Sequence, residues 1–235
     1  MLATNILKKL LALVAKITQY ALRKLSIFNN NITMKNLVKI SSSILPTEFG
    51  DYVIYAYKDS RTSVEHVALI MGKVNFKENV LTRIHSECLT GDIFSSNRCD
   101  CGKQLKLAQQ MIAEESAGII IYLRDHEGRG IGLGNKIRAY ALQDQGFDTV
   151  EANIALGLPV DARSFEVASE ILQNINVNSI RLMSNNPNKF NALKTLGICV
   201  NSLVPLTTTP NKSNFQYLQT KKMKLGHLLN NIHKI

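Results

Sequence analysis

The sequence predicts an α/β fold in which helices flank a mixed β-sheet. Two observations predict this class: short apolar strands alternate with helical segments of about ten or more residues, and an antiparallel hairpin region precedes them. The chain has 235 residues and is 45% hydrophobic, so it can bury a substantial core. We therefore expect one compact domain with appendages.

The strands are predicted from short apolar or alternating stretches. Residues 50–58 and 64–71 alternate in polarity on either side of a polar turn, which predicts the hairpin. Residues 80–84 form a further, mainly apolar stretch, which precedes a cluster of cysteines. Residues 119–123 predict a short buried strand, which a polar, glycine-containing loop at 124–130 follows. Because the hairpin contributes antiparallel pairs, the sheet should be mixed.

The remaining elements follow from helical periodicity and capping residues. Helices are predicted at residues 102–116, 133–145, 164–175 and 189–196. Gly146 is a typical helix-ending residue, and Ser164 is a typical N-cap. Further strands are predicted at 180–183 and 198–204, a loop at 152–163, and a basic terminal helix within 215–235.

The net charge of +10 favours a polyanionic partner, such as a nucleic acid, a membrane surface or a phosphorylated small molecule. Half of this excess lies in residues 1–33, which contain five basic residues and no acidic ones. The rest of the chain therefore carries only +5, which is too little to require a nucleic acid. We expect no nucleic-acid partner.

Residues 1–33 form a basic extension, and residues 34–235 carry the globular pattern. Lysines interrupt the apolar runs of the extension too often for a membrane span. Three interpretations stay open: an amphipathic helix that contacts a membrane surface, a transit-type presequence, or upstream sequence translated from a misassigned start. We assign the extension no function and expect a cytoplasmic protein.

Three of the four cysteines lie within fourteen residues, at Cys88, Cys99 and Cys101. The chain has no secretory cleavage pattern, so a metal site is favoured over a disulfide scaffold. Three protein ligands are typical of catalytic zinc, which keeps one position for water. Two alternatives stay open: a structural zinc completed by His85 or Asp100, and buried thiols without a metal.

The neighbourhood of these cysteines resembles GTP cyclohydrolase II, an enzyme family of riboflavin biosynthesis. The resemblance is carried by residues 83–92 (RIHSECLTGD), 98–102 (RCDCG), 127–133 (EGRGIGL) and 135–144 (NKIRAYALQD). It extends over about residues 34–229 and leaves out the extension. Several ordered blocks of matching residues make coincidence implausible.

The resemblance implies a zinc-dependent hydrolysis of GTP. Cys88, Cys99 and Cys101 would hold one zinc ion per subunit, and its hydroxide would attack C8 of guanine. The products would be formate, pyrophosphate and 2,5-diamino-6-ribosylamino-pyrimidinone 5'-phosphate. Magnesium would accompany the triphosphate, and the protein would be a homodimer. The alternative is a paralogue that opens the guanine ring without releasing formate.

The resemblance also implies roles for individual residues. Tyr140 would be an active-site tyrosine, Asp161 the proton acceptor, and Arg163 the nucleophile toward the α-phosphorus. At Ser184 the family commonly has threonine, so the hydroxyl is kept. The residues implied to bind the substrate are Arg83, Ile84, His85, Ser86, Glu87, Gln104, Glu127, Gly128, Arg129, Thr149, Ser184 and Lys189.

The chemistry of these residue types agrees with most of the implied roles. Arginine and lysine side chains suit a triphosphate, and Glu127 or Glu87 could accept the two donors of the guanine edge, although Glu127 could instead stabilise its loop. The hydroxyl of Tyr140 could donate a proton during ring opening. His85 and His126 could shuttle protons or be structural.

Arg163 fits its implied role least well. A guanidinium group stays protonated and has no free lone pair with which to attack phosphorus. Asp161 could act as the base that deprotonates it, or could simply pair with it. The other role for Arg163 is a clamp that stabilises charge on the leaving pyrophosphate.

Overall fold

The computed structural model describes residues 36–229, which form one mixed seven-stranded sheet covered by helices. The strand order is β1-β2-β3-β5-β4-β6-β7. The pairs from β1 to β5 are antiparallel, and those from β5 to β7 are parallel. The predicted fold class is thus confirmed. The strands are β1 (Leu37–Thr47), β2 (Gly50–Asp59), β3 (Glu65–Met71), β4 (Val80–Ser86), β5 (Gly118–Leu123), β6 (Ile180–Met183) and β7 (Val200–Val204).

Seven helices complete the described part of the chain, and both faces of the sheet carry a buried apolar cluster. One cluster joins Ile171 and Leu193 to the sheet, and the other joins Ile112 to it. Alternate residues of β5 point into opposite clusters, as a strand that is covered on both sides requires. The helices are α1 (Leu89–Asp92), α2 (Cys101–Glu115), α3 (Leu133–Gln143), α4 (Thr149–Ala155), α5 (Glu166–Ile175), α6 (Pro187–Thr195) and α7 (Phe215–Leu225).

Two elements differ from the sequence prediction. The first strand, β1, was not predicted, because its serine-rich sequence is mostly exposed and lacks a clear alternation. It is nevertheless paired with β2 along its length. Helix α4 overlaps a stretch that was predicted as a loop. It begins with a capping box in which Asp148 and Glu151 each accept the other's backbone N–H.

The other predicted elements are confirmed, with ends that shift by a few residues. Helix α5 begins at Glu166, and the hydroxyl of Ser164 accepts the Glu166 N–H at 3.2 Å, so Ser164 acts close to its predicted place. The predictions for residues 1–33 lie outside the described residues. None of the described helices is long and apolar enough to cross a membrane.

The topology creates a crevice at the carboxyl end of β4. This strand lies between β5 and β6, and the chain leaves β4 toward β5 on one side and then reaches β6 on the other. In open α/β sheets, ligands bind at such a reversal of strand order. The segments that follow β4, β5 and β6 contain most of the residues singled out in the sequence.

Candidate active site

An open cleft with about 1060 Å³ of empty space lies at this end of the sheet. The segments after β4, β5 and β6 line it, together with α3 and α7. All of the predicted site residues line the cleft except Ile84 and Asp161. The side chain of Ile84 lies in the apolar core, and only its carbonyl reaches the site. The structure therefore brings together residues that are as much as 106 positions apart, from Arg83 to Lys189.

The three clustered thiols lie where a metal ion could be bound. Cys88 lies between β4 and α1, as the N-cap residue of α1, while Cys99 and Cys101 lie at the start of α2. Their sulfur atoms all lie within 4.8 Å of one another, and the Cys88 and Cys99 sulfurs are 3.7 Å apart. Zinc–sulfur bonds of about 2.3 Å at tetrahedral angles place sulfurs roughly 3.8 Å apart. A Cβ atom at Gly91 would come within 2.7 Å of the Cys99 sulfur, so only glycine fits there.

Neither of the two residues considered as a fourth ligand joins the three thiols. The carboxylate of Asp100 accepts bonds from Lys221 Nζ at 2.9 Å and from Gln104 Nε2 at 2.6 Å. His85 Nε2 pairs with Asp92 at 3.0 Å. Within residues 36–229, no other histidine, cysteine or acidic group joins the three thiols. A set of three ligands is typical of catalytic zinc rather than of a closed structural site.

A buried lysine supports the thiol cluster. Lys136 Nζ donates to Cys88 Sγ at 3.2 Å, to Thr90 Oγ1 at 2.7 Å and to Glu127 Oε1 at 2.6 Å. Burial alone would lower the pKa of Lys136, but the bond to Glu127 and the charge of Cys88 raise it above its ordinary value. Hydrogen bonds from the Cys101 and Cys99 thiols lower the pKa of Cys88, and Lys136 lowers it further. Cys88 is therefore a thiolate in this environment.

The two candidate guanine acceptors differ in how their oxygens are used. Both oxygens of Glu127 are bonded within the chain, since Oε1 accepts from Lys136 and Oε2 accepts the Leu89 N–H at 2.7 Å. Glu87 lines the cleft, and its Oε2 accepts the Asp125 N–H at 2.8 Å. Its other oxygen has no hydrogen-bond partner in the described residues. The geometry thus favours Glu87 over Glu127 as an acceptor for a ligand.

The opposite side of the cleft carries cations that lack acidic partners. Lys189 Nζ donates to the Ile84 carbonyl at 2.7 Å, and no carboxylate of residues 36–229 forms an ion pair with it. Burial holds the pKa of Lys189 well below its ordinary value. Burial also lowers the pKa of Arg83 to about 10. Arg83 Nε and Arg129 Nη2 are buried nitrogens without a partner. This side of the cleft is therefore suited to an anion with several charges.

Arg163 is held at the edge of these cations by Asp161. Its Nε donates to Asp161 Oδ1 at 2.8 Å, and a second bond joins Nη2 to the other oxygen. Burial tends to raise the pKa of Asp161, but the bonds from Arg163 lower it, so the carboxylate is ionised. Arg163 also donates to Ser86 Oγ at 3.3 Å, which contacts His126 Nδ1 at 3.2 Å. Burial lowers the pKa of His126 to about 3, so this imidazole is neutral near pH 7.

Tyr140 lies on the thiol side of the cleft. Its hydroxyl is 3.4 Å from Thr90 Oγ1, and the guanidinium of Arg98 lies 4.8 Å from its ring centroid. Burial raises the pKa of Tyr140, so its hydroxyl stays protonated and can donate. Thr149, at the start of α4, and Ser184, after β6, line the cleft as predicted.

The sequence analysis missed the contribution of the C-terminal helix. Tyr217 and Lys221 of α7, and His227 just after it, line the cleft. Arg98 and Asn185 also line it, although no role was predicted for them. Lys221 belongs to a run of basic residues that looks like any solvated helix surface. No pattern in the sequence distinguishes it from its exposed neighbours.

Comparison with known proteins gives a consistent result. The sequence profile of the family described as GTP cyclohydrolase II matches residues 38–205. The chain is 50% identical over 194 residues to "Monofunctional riboflavin biosynthesis protein RIBA 3, chloroplastic" of Arabidopsis thaliana, covering 83% of this chain and 38% of that protein. It is also 50% identical over 193 residues to "Riboflavin biosynthesis protein RibBA" of Chlamydia trachomatis, covering 82% and 46%.

The chain spans less than half the length of these curated relatives. Among solved structures, RibBX of A. baumannii, a two-domain 3,4-dihydroxy-2-butanone 4-phosphate synthase, aligns with 78% of this chain and 44% of its own. Its TM-score of 0.43 and 22% identity are too low to bear on function. Because the family profile matches most of the described residues and relatives share half of their aligned residues, the chain belongs to the GTP cyclohydrolase II family.

Proposed function

We propose that this chain hydrolyses GTP to formate, pyrophosphate and 2,5-diamino-6-ribosylamino-pyrimidinone 5'-phosphate, with one zinc ion at Cys88, Cys99 and Cys101. The observation that carries this proposal is the pairing of two features in one cleft. Three thiols at zinc-binding distances lie on one side, and buried cations without acidic partners lie on the other. This pairing suits a substrate that joins a reactive ring to a polyphosphate.

The donor set fits zinc. Bound there, zinc would supply a water molecule of lowered pKa and a position for it beside the substrate. The residues around the thiols prepare this position. The ammonium group of Lys136 stabilises the Cys88 thiolate, and Glu127 holds Lys136 in place. Because Asp100 and His85 do not join the three thiols, neither would occupy the open position.

Tyr140 and Glu87 then act on the guanine. The protonated hydroxyl of Tyr140 donates to a ring nitrogen or to the formamide oxygen as the imidazole ring opens. The carboxylate of Glu87 accepts from the N1–H and 2-amino groups, which distinguish guanine from adenine. Glu127 keeps its role in the loop, because both of its oxygens are engaged.

The cation-rich side binds the triphosphate. Arg83, Arg129 and Lys189 lack acidic partners among the described residues, so phosphate oxygens would supply their missing charge. Magnesium would arrive with the substrate and be held by phosphate oxygens and water, as is usual for this ion.

The bidentate ion pair with Asp161 supports Arg163 as a phosphate clamp, because a guanidinium group bonded to a carboxylate remains a cation. Release of pyrophosphate by direct hydrolysis follows from this role. If Arg163 instead acts as the nucleophile, acid quenching of a reaction with radiolabelled GTP will trap a guanylyl adduct on the wild-type protein, and Arg163→Lys will abolish it. We expect no adduct with either protein.

The deciding experiment is incubation of the purified protein with GTP and magnesium, followed by identification of the pyrimidine product by mass. Zinc content is measured on the same sample, and formate and pyrophosphate are assayed separately. We expect about one zinc per chain, and loss of both metal and turnover when Cys88, Cys99 and Cys101 are changed to serine. Cys199→Ser, at an exposed cysteine outside the cleft, is the matched control.

Three results would count against the proposal. Undiminished turnover by the triple serine variant would exclude the zinc. Ring opening without formate would identify the chain as the paralogue that stops at that stage. Absence of any reaction with GTP would exclude both. A homodimer remains our prediction for the assembly and is checked by light scattering on the same preparation.

A further inference from the structure

We propose that helix α7 forms part of the wall of the active site and contributes to substrate binding. In this proposal Lys221 is a positioning residue that keeps Arg83 available to the phosphates of the substrate. This inference rests on the proposed function, since it takes the cation-rich side of the cleft as the triphosphate site. It gives a role to a segment that lies beyond residue 205, where the match to the family profile ends.

Hydrogen bonds link Lys221 to Arg83 through two intervening side chains. Lys221 Nζ donates to Asp100 Oδ1 at 2.9 Å, and Gln104 Nε2 donates to Asp100 Oδ2 at 2.6 Å. Arg83 Nη2 then donates to Gln104 Oε1 at 2.8 Å. The side chains of Lys221 and Asp100 are only 11% and 3% exposed, so solvent screens their ion pair weakly.

The positive charge of Lys221 compensates the negative charge of the Asp100 carboxylate. Asp100 lies between Cys99 and Cys101, and its buried carboxylate needs a cation. Lys221 supplies it, and Arg83 is the other cation that acts on this carboxylate. If Lys221 lost its charge, Arg83 would remain as a cation that acts on the carboxylate of Asp100. Its guanidinium would then be drawn away from the phosphates.

Helix α7 is anchored independently of this ion pair. Leu218 is buried, and Lys224 forms ion pairs with Asp148 and Glu151 at the start of α4. These contacts hold the backbone of α7 in place when the side chain at 221 is changed. The effect of a substitution should therefore be local.

The test compares variants that separate the charge of Lys221 from its shape. Lys221→Met should raise the KM for GTP by roughly tenfold or more, which is the effect of diverting one charged contact from a phosphate. The kcat should change by less than about threefold, because the thiol side is untouched. Lys222→Met, at an exposed position of the same helix, should match the wild type. Lys221→Arg should recover most of the loss.

The double variant Asp100→Asn with Lys221→Met supplies the decisive comparison. With no carboxylate left to attract Arg83, its KM should be several-fold lower than that of Lys221→Met alone. It also removes the unpaired buried charge, so it should melt at a higher temperature than Lys221→Met. If Lys221→Met does not fold, the KM of the double variant is compared with that of the wild type: a value within about threefold supports the inference, and a rise of about tenfold or more overturns it.

Two results would overturn the inference. One is a wild-type KM for a folded Lys221→Met protein. The other is a double variant whose KM is as high as that of Lys221→Met, since Lys221 would then contact the substrate itself. An inactive wild-type protein would refute the proposed function. An active wild-type protein with either of these two results would refute the role of Lys221 alone.

Discussion

The two sides of the cleft carry similar side chains but differ in how their charges are compensated. On the thiol side, Lys136 is bonded to Glu127 and Cys88, and every one of these charges has a buried partner. On the cation-rich side, Lys189 contacts the Ile84 carbonyl and the ring of Phe165 but no carboxylate of the described residues, and Arg83 keeps an unpartnered nitrogen. The charges on the thiol side are therefore paired within the chain. The cations on the cation-rich side have no carboxylate partner among the described residues, so a bound anion would compensate them.

This difference indicates where each part of the proposed activity would reside. Groups that already have their partners cost little reorganisation during the reaction, so they suit the chemical step. Groups that lack partners gain most when substrate binds, so they suit recognition of the triphosphate. Substitutions on the thiol side should therefore lower kcat or the free energy of unfolding, and those on the cation-rich side should raise the KM for GTP.

Tyr140→Phe tests the thiol side with the largest expected effect. Because the hydroxyl is a protonated donor in the cleft, its loss should lower kcat for formate release by about 10² to 10⁴. The free energy of unfolding should change little, since the ring remains. Formate release and urea denaturation are measured on the same preparation. Full activity of the variant would remove Tyr140 from the chemistry.

Substitution of the two buried lysines tests most directly whether the two sides of the cleft differ in charge compensation. Lys136→Met leaves a carboxylate and a thiolate without their buried cation, so we expect a loss of about 3 to 5 kcal/mol in the free energy of unfolding. Lys189→Met removes a cation that has no acidic partner, so stability without nucleotide should be unchanged or higher. Its kcat/KM for GTP should nevertheless fall by about 10². Urea denaturation and steady-state kinetics check both variants.

The proposed difference between the two sides is contradicted if Lys136→Met and Lys189→Met lower the free energy of unfolding equally. Equal destabilisation would mean that Lys189 is compensated as fully as Lys136. Thermal shifts with inorganic triphosphate provide a second measurement. The ligand should stabilise the wild type and Lys136→Gln much more than Lys189→Met, because a ligand stabilises only the state that binds it.

Glu87→Gln and Glu127→Gln test which of the two carboxylates recognises guanine and which stabilises the protein. Glu87→Gln should lower the preference for GTP over ATP by roughly tenfold, because one acceptor oxygen is replaced by an NH2 donor and the negative charge is lost. Glu127→Gln should leave that preference unchanged and lower stability, since Glu127 pairs with Lys136. Competition between the two nucleotides in binding assays measures the preference. The opposite pattern would exchange the two roles.

The pH dependence of stability gives the most gradual effect, because it is spread over several pH units. Burial lowers the pKa of His126 to about 3, with Arg163 and Lys189 acting in the same direction. The unfolded chain, with a histidine pKa near 6.5, therefore binds more protons between about pH 3 and 6.5, and stability falls as pH falls through this window. The slope due to one such group is at most about 1.4 kcal/mol per pH unit. His126→Asn should flatten the curve, and an unchanged slope would contradict the assignment.

Sequence reasoning located most of the candidate site, because its residues lie in short motifs with characteristic spacing. Nearly all of the predicted residues line one cleft. Ile84 does not, since its position in β4 turns its side chain into the core. Strand β1 and helix α4 were missed for different reasons. The first lacks an alternating pattern, and the second depends on a capping box that was overlooked.

The sequence by itself determined the alternation of strands and helices and the likeness to the family. The sequence also indicated the cluster of Cys88, Cys99 and Cys101, because these three cysteines lie within fourteen residues of one another. Only the tertiary structure decided which charges are paired. Lys221 meets Asp100 across 121 positions, and Lys136 meets Cys88 across 48. Charge compensation depends on distance through space and on burial, and neither can be read from the order of residues.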